Sequence, residues 1–156
     1  MDCYRAFSAC DWDTMRRMMH PHCVLDFSGE PFGGRTEGRE SILDMFRAIQ
    51  GMMVGSLVFH CHWSILSGDL TAAHWFTTGK PAHGGLYLHR VIAWYQLQDS
   101  LIYRFEDFLD TQILAAFWPG GQPCTDFTEA ERLVARLESI ASPEALARLV
   151  ALRSAG

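Results

Sequence analysis

The side chains best able to do chemistry in this sequence are His74, His89 and Asp107. Asp107 lies in the run Arg104-Phe105-Glu106-Asp107-Phe108-Leu109-Asp110, where strand alternation puts Phe105, Asp107 and Leu109 on one face and Arg104, Glu106, Phe108 and Asp110 on the other. If that face is covered, a carboxyl between two apolar neighbours loses its water. Its pKa then rises and it can act as an acid or base near neutral pH. If the face is open, Asp107 is simply a solvated carboxylate. His89 shares an alternation face with Val91, Ala93 and Tyr95, so on an adjacent strand it could approach Asp107. A histidine beside a carboxylate is held in one tautomer and becomes a better base, which suits proton removal next to a carbonyl, dehydration or aldol-type ring closure. The plainer alternative is a core or surface histidine whose hydrogen bonds are satisfied.

Other chemistries find less support. His74 has opposite parity to Trp75 and Thr77 and is expected on the outer face of its strand. His60 and His62 have the i, i+2 spacing that can ligate a metal from a strand, but no third and fourth ligands accompany them, so no metal and no other cofactor is expected. Gly29 to Gly34 lacks the lysine and the strand-to-helix setting of a phosphate loop, and no serine sits in a nucleophile elbow.

These groups need a sheet to hold them. Thr71 to Thr78, Leu86 to Leu97 and Leu101 to Leu109 read as consecutive antiparallel strands, each rich in aromatic or β-branched residues and bounded by turns such as Gln98-Asp99-Ser100. Ser56 to Leu66 alternates as a further strand, with Leu57, Phe59, Cys61, Trp63 and Ile65 on one face. Before it come a helix over Met1 to Cys10 and a second helix capped near Asp11 and ended by His20-Pro21. A short strand Cys23 to Phe27 and a glycine-rich loop Ser28 to Gly38 follow. The next helix opens at Gly38-Arg39-Glu40 and carries the stripe Ile42, Leu43, Met45, Phe46, Ile49, broad enough to lie across a sheet. After the irregular stretch from Ala115 to Cys124, a capping box at Thr128 to Glu131 and the pair Ser142-Pro143 open two further helices.

With 156 residues, 49% of them hydrophobic and 20% charged, the chain has the apolar mass for one core domain. A formal net charge of -5 argues against nucleic acid or an anionic membrane as partner. No apolar run approaches bilayer length and the start lacks a signal region, so the expectation is a cytoplasmic protein. The five cysteines, Cys3, Cys10, Cys23, Cys61 and Cys124, are scattered without metal or disulfide spacing and read as reduced thiols.

The opening YRAFSACDWDTMRRMMHPHCVLDF, the helix entry Gly38-Arg39-Glu40-Ser41-Ile42, the hairpin SGDLTAAHWFTTG and the closing IYRFEDFLDTQIL together resemble the nuclear transport factor 2-like superfamily, in particular its SnoaL-like branch. The resemblance spans about residues 4 to 113. It implies an α+β fold: a cone-shaped, curved antiparallel sheet wrapped around N-terminal helices, with a deep apolar pocket and homodimer pairing through the sheet. A C-terminal helical hairpin lies outside the usual pattern, giving a division into 1–118 and 119–156. Relatives include polyketide cyclases, ketosteroid isomerases and limonene epoxide hydrolases, so the fold does not choose the reaction. Asp107 matches the pocket carboxylate of the epoxide hydrolases, but Trp75 and Thr77 stand where those enzymes need an acid and an arginine. The isomerase base position falls on Phe27, with Asp26 beside it and pointing away, and Ala93 replaces the protonated aspartate.

The resulting expectation is a SnoaL-like pocket protein performing cofactor-free acid/base catalysis, whether cyclisation, isomerisation or dehydration, on a hydrophobic carbonyl compound. Asp107 and His89 are the catalytic candidates; Tyr4, Phe27, Trp75, Thr77, Tyr95 and Phe105 are the substrate-binding ones. Trp63, Trp75, Trp94 and Tyr95 could form an aromatic wall for a flat ligand. The alternative is a non-catalytic ligand-binding or dimerisation module of the same fold.

Overall fold

A computed structural model of the chain describes residues 2–28, 34–82, 84–110 and 113. Its elements are α1 (Asp2–Ser8), α2 (Trp12–Met18), β1 (Met19–Ser28), β2 (Gly34–Glu37), α3 (Arg39–Met52), β3 (Val58–Ser67), β4 (Leu70–Gly79), β5 (Tyr87–Gln98) and β6 (Leu101–Leu109). The strands form one curved, open sheet in the order β2-β1-β6-β5-β4-β3, with the helices against its inner face. The α+β plan expected from the sequence is therefore present. The expected C-terminal hairpin and Cys124 lie outside the described residues.

Local chemistry explains where the elements start and stop. Asp11 caps α2 by accepting a hydrogen bond from the Thr14 amide at 3.0 Å. Gly38 precedes α3 with φ +87°, a conformation that strains any residue bearing a Cβ. The α3 stripe buries Ile42, Leu43 and Phe46 beneath the sheet, each contributing about 1.5–3 kcal/mol of apolar burial. Gln50, on the same helix, is buried and ties three segments together. Its amide nitrogen donates to the Phe7 and Leu57 carbonyls, and its amide oxygen accepts from the Leu57 N–H.

Four features depart from the sequence expectation. The first strand begins at Met19, and Pro21 is accommodated because the β1–β6 register is irregular between Met19 and Val24, where no ladder bond is required of it. That β1–β6 pairing is parallel, the other pairings being antiparallel, and part of the glycine-rich loop is strand β2, paired with β1. In β3 a bulge between Cys61 and Trp63 inserts one residue, so Trp63 pairs with His74 and Ile65 with Ala72 on the outer face. Trp63 and Ile65 are exposed there, contrary to the single apolar face expected for this strand.

The inner face is built in rows across the strands. One row runs Ala73, Ala93, Asp107, Phe27; a second runs Thr71, Tyr95, Phe105, Leu25; a third runs Trp75, Val91, Leu109. Two alanines beside Asp107 keep the first row shallow.

Candidate functional site

Helix α1 lowers Tyr4 onto the inner face, where its ring meets Phe59, Trp75 and Tyr95 at centroid distances of 4.3, 4.8 and 5.9 Å. The Tyr4 hydroxyl donates to Asp107 Oδ1 at 2.9 Å. Asp107 itself is only 4% exposed, and its Oδ2 takes no hydrogen bond from the described residues. Burial pushes this carboxyl up to about 7; the Tyr4 hydrogen bond opposes that rise and the nearby Glu106 charge adds to it. A group with this midpoint exchanges protons readily at neutral pH.

Asp107 opens onto a cavity of about 360 Å³ between α3 and the inner face. The walls are mostly apolar, with Phe46, Ile49, Met52 and Met53 supplied by the helical side, and Phe27, Val91 and Leu109 by the strands. Thr77, Tyr87 and His89 form a second polar group in the same lining. Such a space accepts an apolar small molecule and offers few polar anchors.

His89 is 1% exposed and lies in this cavity wall, yet the expected His89–Asp107 approach does not occur. Asp107 pairs across the sheet with Ala93, so His89 sits four residues further along β5, or about 13 Å at the usual strand rise. Both ring nitrogens are engaged locally. The Asp110 backbone N–H donates to Nε2 at 2.8 Å, and Nδ1 lies 2.7 Å from the Tyr87 hydroxyl. A neutral ring that accepts at Nε2 carries its proton on Nδ1 and donates it to Tyr87. Burial pulls His89 down to about 4, against the opposing charge of Asp110, so the ring is neutral at physiological pH.

The remaining candidates divide between two places. Tyr4, Phe27 and Thr77 line the large cavity. Trp75 and Tyr95 do not; they line a second cavity of about 300 Å³ on the other side of Tyr4, together with Cys3, Arg17 and Met18. Phe105 lines neither and packs in the core, stacked on Tyr95 at 6.1 Å. The expected tryptophan wall is also divided, because Trp63 and Trp94 belong to the outer face, where the Trp94 Nε1–H donates to Glu106.

His74 is on the outer face as expected, its Nδ1 3.0 Å from that of His62, while His60 Nε2 lies 3.0 Å from the Thr78 hydroxyl. Among the described residues no three His, Cys, Asp or Glu side chains are placed to hold a metal ion. Asp26 faces outward as expected and is bound by Arg35 and Arg104, which hold its carboxyl below the usual range, Arg35 foremost. The sequence reading did not single out Tyr87, Met52 or Met53, and it took the cavity-facing Met45 only as part of the apolar stripe of α3. In the sequence those methionines are indistinguishable from core filling.

The SnoaL-like domain family matches residues 2–105. Among solved structures, Bal32a from a soil-derived mobile gene cassette shares 17% identity at a TM-score of 0.69, covering 76% of this chain and 92% of that one. TerC, co-crystallised with polyporic acid, shares 18% identity at a TM-score of 0.62, covering 70% and 86%. IdmH from Streptomyces antibioticus, described as a candidate polyketide cyclase, shares 20% identity at a TM-score of 0.62, covering 73% and 91%. No curated protein matches. At these identities the structural likeness speaks for the fold.

Proposed function

The chain belongs to the SnoaL-like family, and from that premise we propose that it is a cofactor-free acid/base catalyst acting on a hydrophobic carbonyl compound, with Asp107 as the proton-transferring group and Tyr4 as its hydrogen-bonding partner. The observation that carries this reading is one buried carboxyl, bonded through a single oxygen to Tyr4, in the wall of a mostly apolar cavity. Its midpoint near 7 supports both halves of a proton shuttle.

In the proposed reaction the Asp107 carboxylate takes a proton from a carbon next to a carbonyl. The C–H electron pair moves into the enolate and Asp107 becomes a neutral acid. The enolate carbon then bonds to a second carbonyl of the same molecule, and Asp107 returns the proton to the new alkoxide. Returning it to another carbon gives isomerisation, and loss of water from the aldol product gives dehydration. Tyr4 steadies the carboxylate before the proton is taken, while Thr77 and Phe27 contact the substrate body. His89, closed on both nitrogens, holds the far end of the cavity in shape. The polyketide-cyclase description attached to IdmH accords with this chemistry.

The test is hydrogen–deuterium exchange at the α-carbons of a panel of hydrophobic 1,3-diketones in D2O, followed by NMR. The protein is expected to accelerate exchange and Asp107→Asn to remove the acceleration while keeping the circular dichroism spectrum. Unchanged acceleration in the variant would refute the role of Asp107, and no acceleration by the unsubstituted protein would point to the ligand-binding alternative. The exposed outer-face residues Trp63, Ile65, Ile92 and Phe108 support the further proposal of sheet-to-sheet pairing of two copies, for which light scattering should give the dimer mass; a monomer mass would refute it.

A further inference from the structure

Among the described residues, two buried polar side-chain atoms have no hydrogen-bond partner, Trp75 Nε1 and Tyr95 Oη. Leaving such donors unpaired is costly, so native proteins rarely do it without a reason. Both belong to the group of rings around Tyr4, whose own hydroxyl is committed to Asp107. The Tyr95 hydroxyl has the Tyr4 hydroxyl and the Trp75 indole N–H as hydrogen-bonding neighbours that act on its proton, although neither pair reaches full hydrogen-bond geometry in this conformation.

Donor direction decides how these groups can satisfy one another. Trp75 Nε1–H can only donate, a tyrosine hydroxyl can donate once and still accept, and a carboxylate can only accept. A sequence that uses every donor and keeps the observed Tyr4–Asp107 bond runs from Trp75 to Tyr95, from Tyr95 to Tyr4, and from Tyr4 to Asp107. It ends on a negative charge, where each bond polarises the next.

We propose that Tyr95 and Trp75 are positioning residues for Asp107, forming a reserve donor chain, Trp75 Nε1–H to Tyr95 Oη and Tyr95 O–H to Tyr4 Oη, that closes when the carboxyl ionises. The inference rests on the reading of Asp107 as the proton-transferring group and adds the device that lets a fully buried carboxyl carry charge. It also gives a role to two residues that do not line the cavity with Asp107. The other titratable groups around Asp107 are Cys3 on α1, beside Tyr4, and Glu106, its neighbour on β6. Neither offers the carboxylate a donor in the structure. The Cys3 thiol is itself pushed up to about 12, chiefly by burial, and Glu106 bonds to Ser28 and Trp94 on the outer face.

The chain makes a directional expectation. Removing the Tyr95 hydroxyl withdraws support from the ionised form alone, so the Asp107 midpoint must rise. Tyr95→Phe keeps the ring that stacks on Phe105 and meets Tyr4. Its Asp107 carboxyl, titrated by 13C NMR, is expected about half to one pH unit higher than in the unsubstituted protein, a factor of about 3–10 in the acid constant. Trp75→Phe, at the far end of the chain, should raise it by less. A lowered melting temperature with an unmoved midpoint would show that Tyr95 is only a packing residue and overturn the proposal, as would a downward shift. Because the titration needs no turnover, it is independent of the exchange assay. Loss of the catalytic reading through Asp107→Asn would leave this result standing, and the reverse also holds.

Discussion

The two polar ends of the cavity invite comparison. At one end Asp107 uses a single oxygen, on Tyr4, and burial moves it to about 7. At the other end His89 uses both nitrogens, on Tyr87 and the Asp110 backbone, and burial moves it to about 4. Desolvation disfavours the charged form in each case. It brings an acid toward neutrality and takes a base away from it. The same apolar wall therefore gives the carboxyl a midpoint suited to proton transfer and keeps the histidine neutral, so burial by itself does not rank the two as candidates. The sign of the shift and the open oxygen on Asp107 favour the carboxyl.

Breaking the comparison at the carboxyl end should have the largest effect. Asp107→Asn is expected to lower the catalysed exchange rate by about 10²–10⁴-fold, the usual contribution of a general acid or base, with the fold retained because asparagine can still accept from Tyr4. Tyr4→Phe should cost less, about tenfold, since it removes support but not the proton acceptor; the same exchange assay reads it. At the histidine end, His89→Gln should leave the rate within a few-fold and instead lower stability by about 1–3 kcal/mol in urea unfolding, because the Asp110 N–H and the buried Tyr87 hydroxyl lose the imidazole they bond to.

Smaller, but more diagnostic, is how stability depends on pH. Asp107 has a raised folded midpoint, so between pH 4 and 7 the folded state holds a proton that the unfolded state has released. Stability from this group is full below about pH 4 and is lost as pH rises through 7, by about 4 kcal/mol at most. His89 has a depressed folded midpoint. Its contribution is present above about 6.5 and is lost as pH falls toward 4. Urea titrations from pH 4 to 8 should therefore show Asp107→Asn gaining on the unsubstituted protein as pH rises. The deficit of His89→Gln should shrink as pH falls. Parallel behaviour of the two variants would break the comparison.

Much of the sheet was legible because strict alternation assigns faces without further knowledge. Phe105, Asp107 and Leu109 turn inward, as do His89, Val91, Ala93 and Tyr95, and His74 turns outward. Alternation fails wherever one residue is inserted. The bulge at Cys61 and Trp63 reversed the second half of β3. Another irregularity beside Leu97 moved the β5–β6 register by one, setting Ala93 rather than Ile92 opposite Asp107. Even so, counting back from the tight turn at Asp99 and Ser100, whose φ angles are 53° and 64°, places His89 well past Asp107 in either register. That count was available in the sequence and argues against a His–Asp pair. The Tyr4–Asp107 bond was not available. It joins residues 103 apart and depends on how α1 sets Tyr4 against Phe59, Trp75 and Tyr95 on the inner face, which no local pattern encodes. The separation of Trp75 and Tyr95 from the large cavity has the same origin, since Tyr4 is the partition between the two spaces.

The most direct test is the titration of the Asp107 side-chain carboxyl in the unsubstituted protein, followed by 13C NMR with assignment from the Asp107→Asn spectrum. A midpoint near 7 is the expected result for a proton-transferring group enclosed in apolar walls. A midpoint near 4 would mean a hydrated carboxylate and would contradict the account.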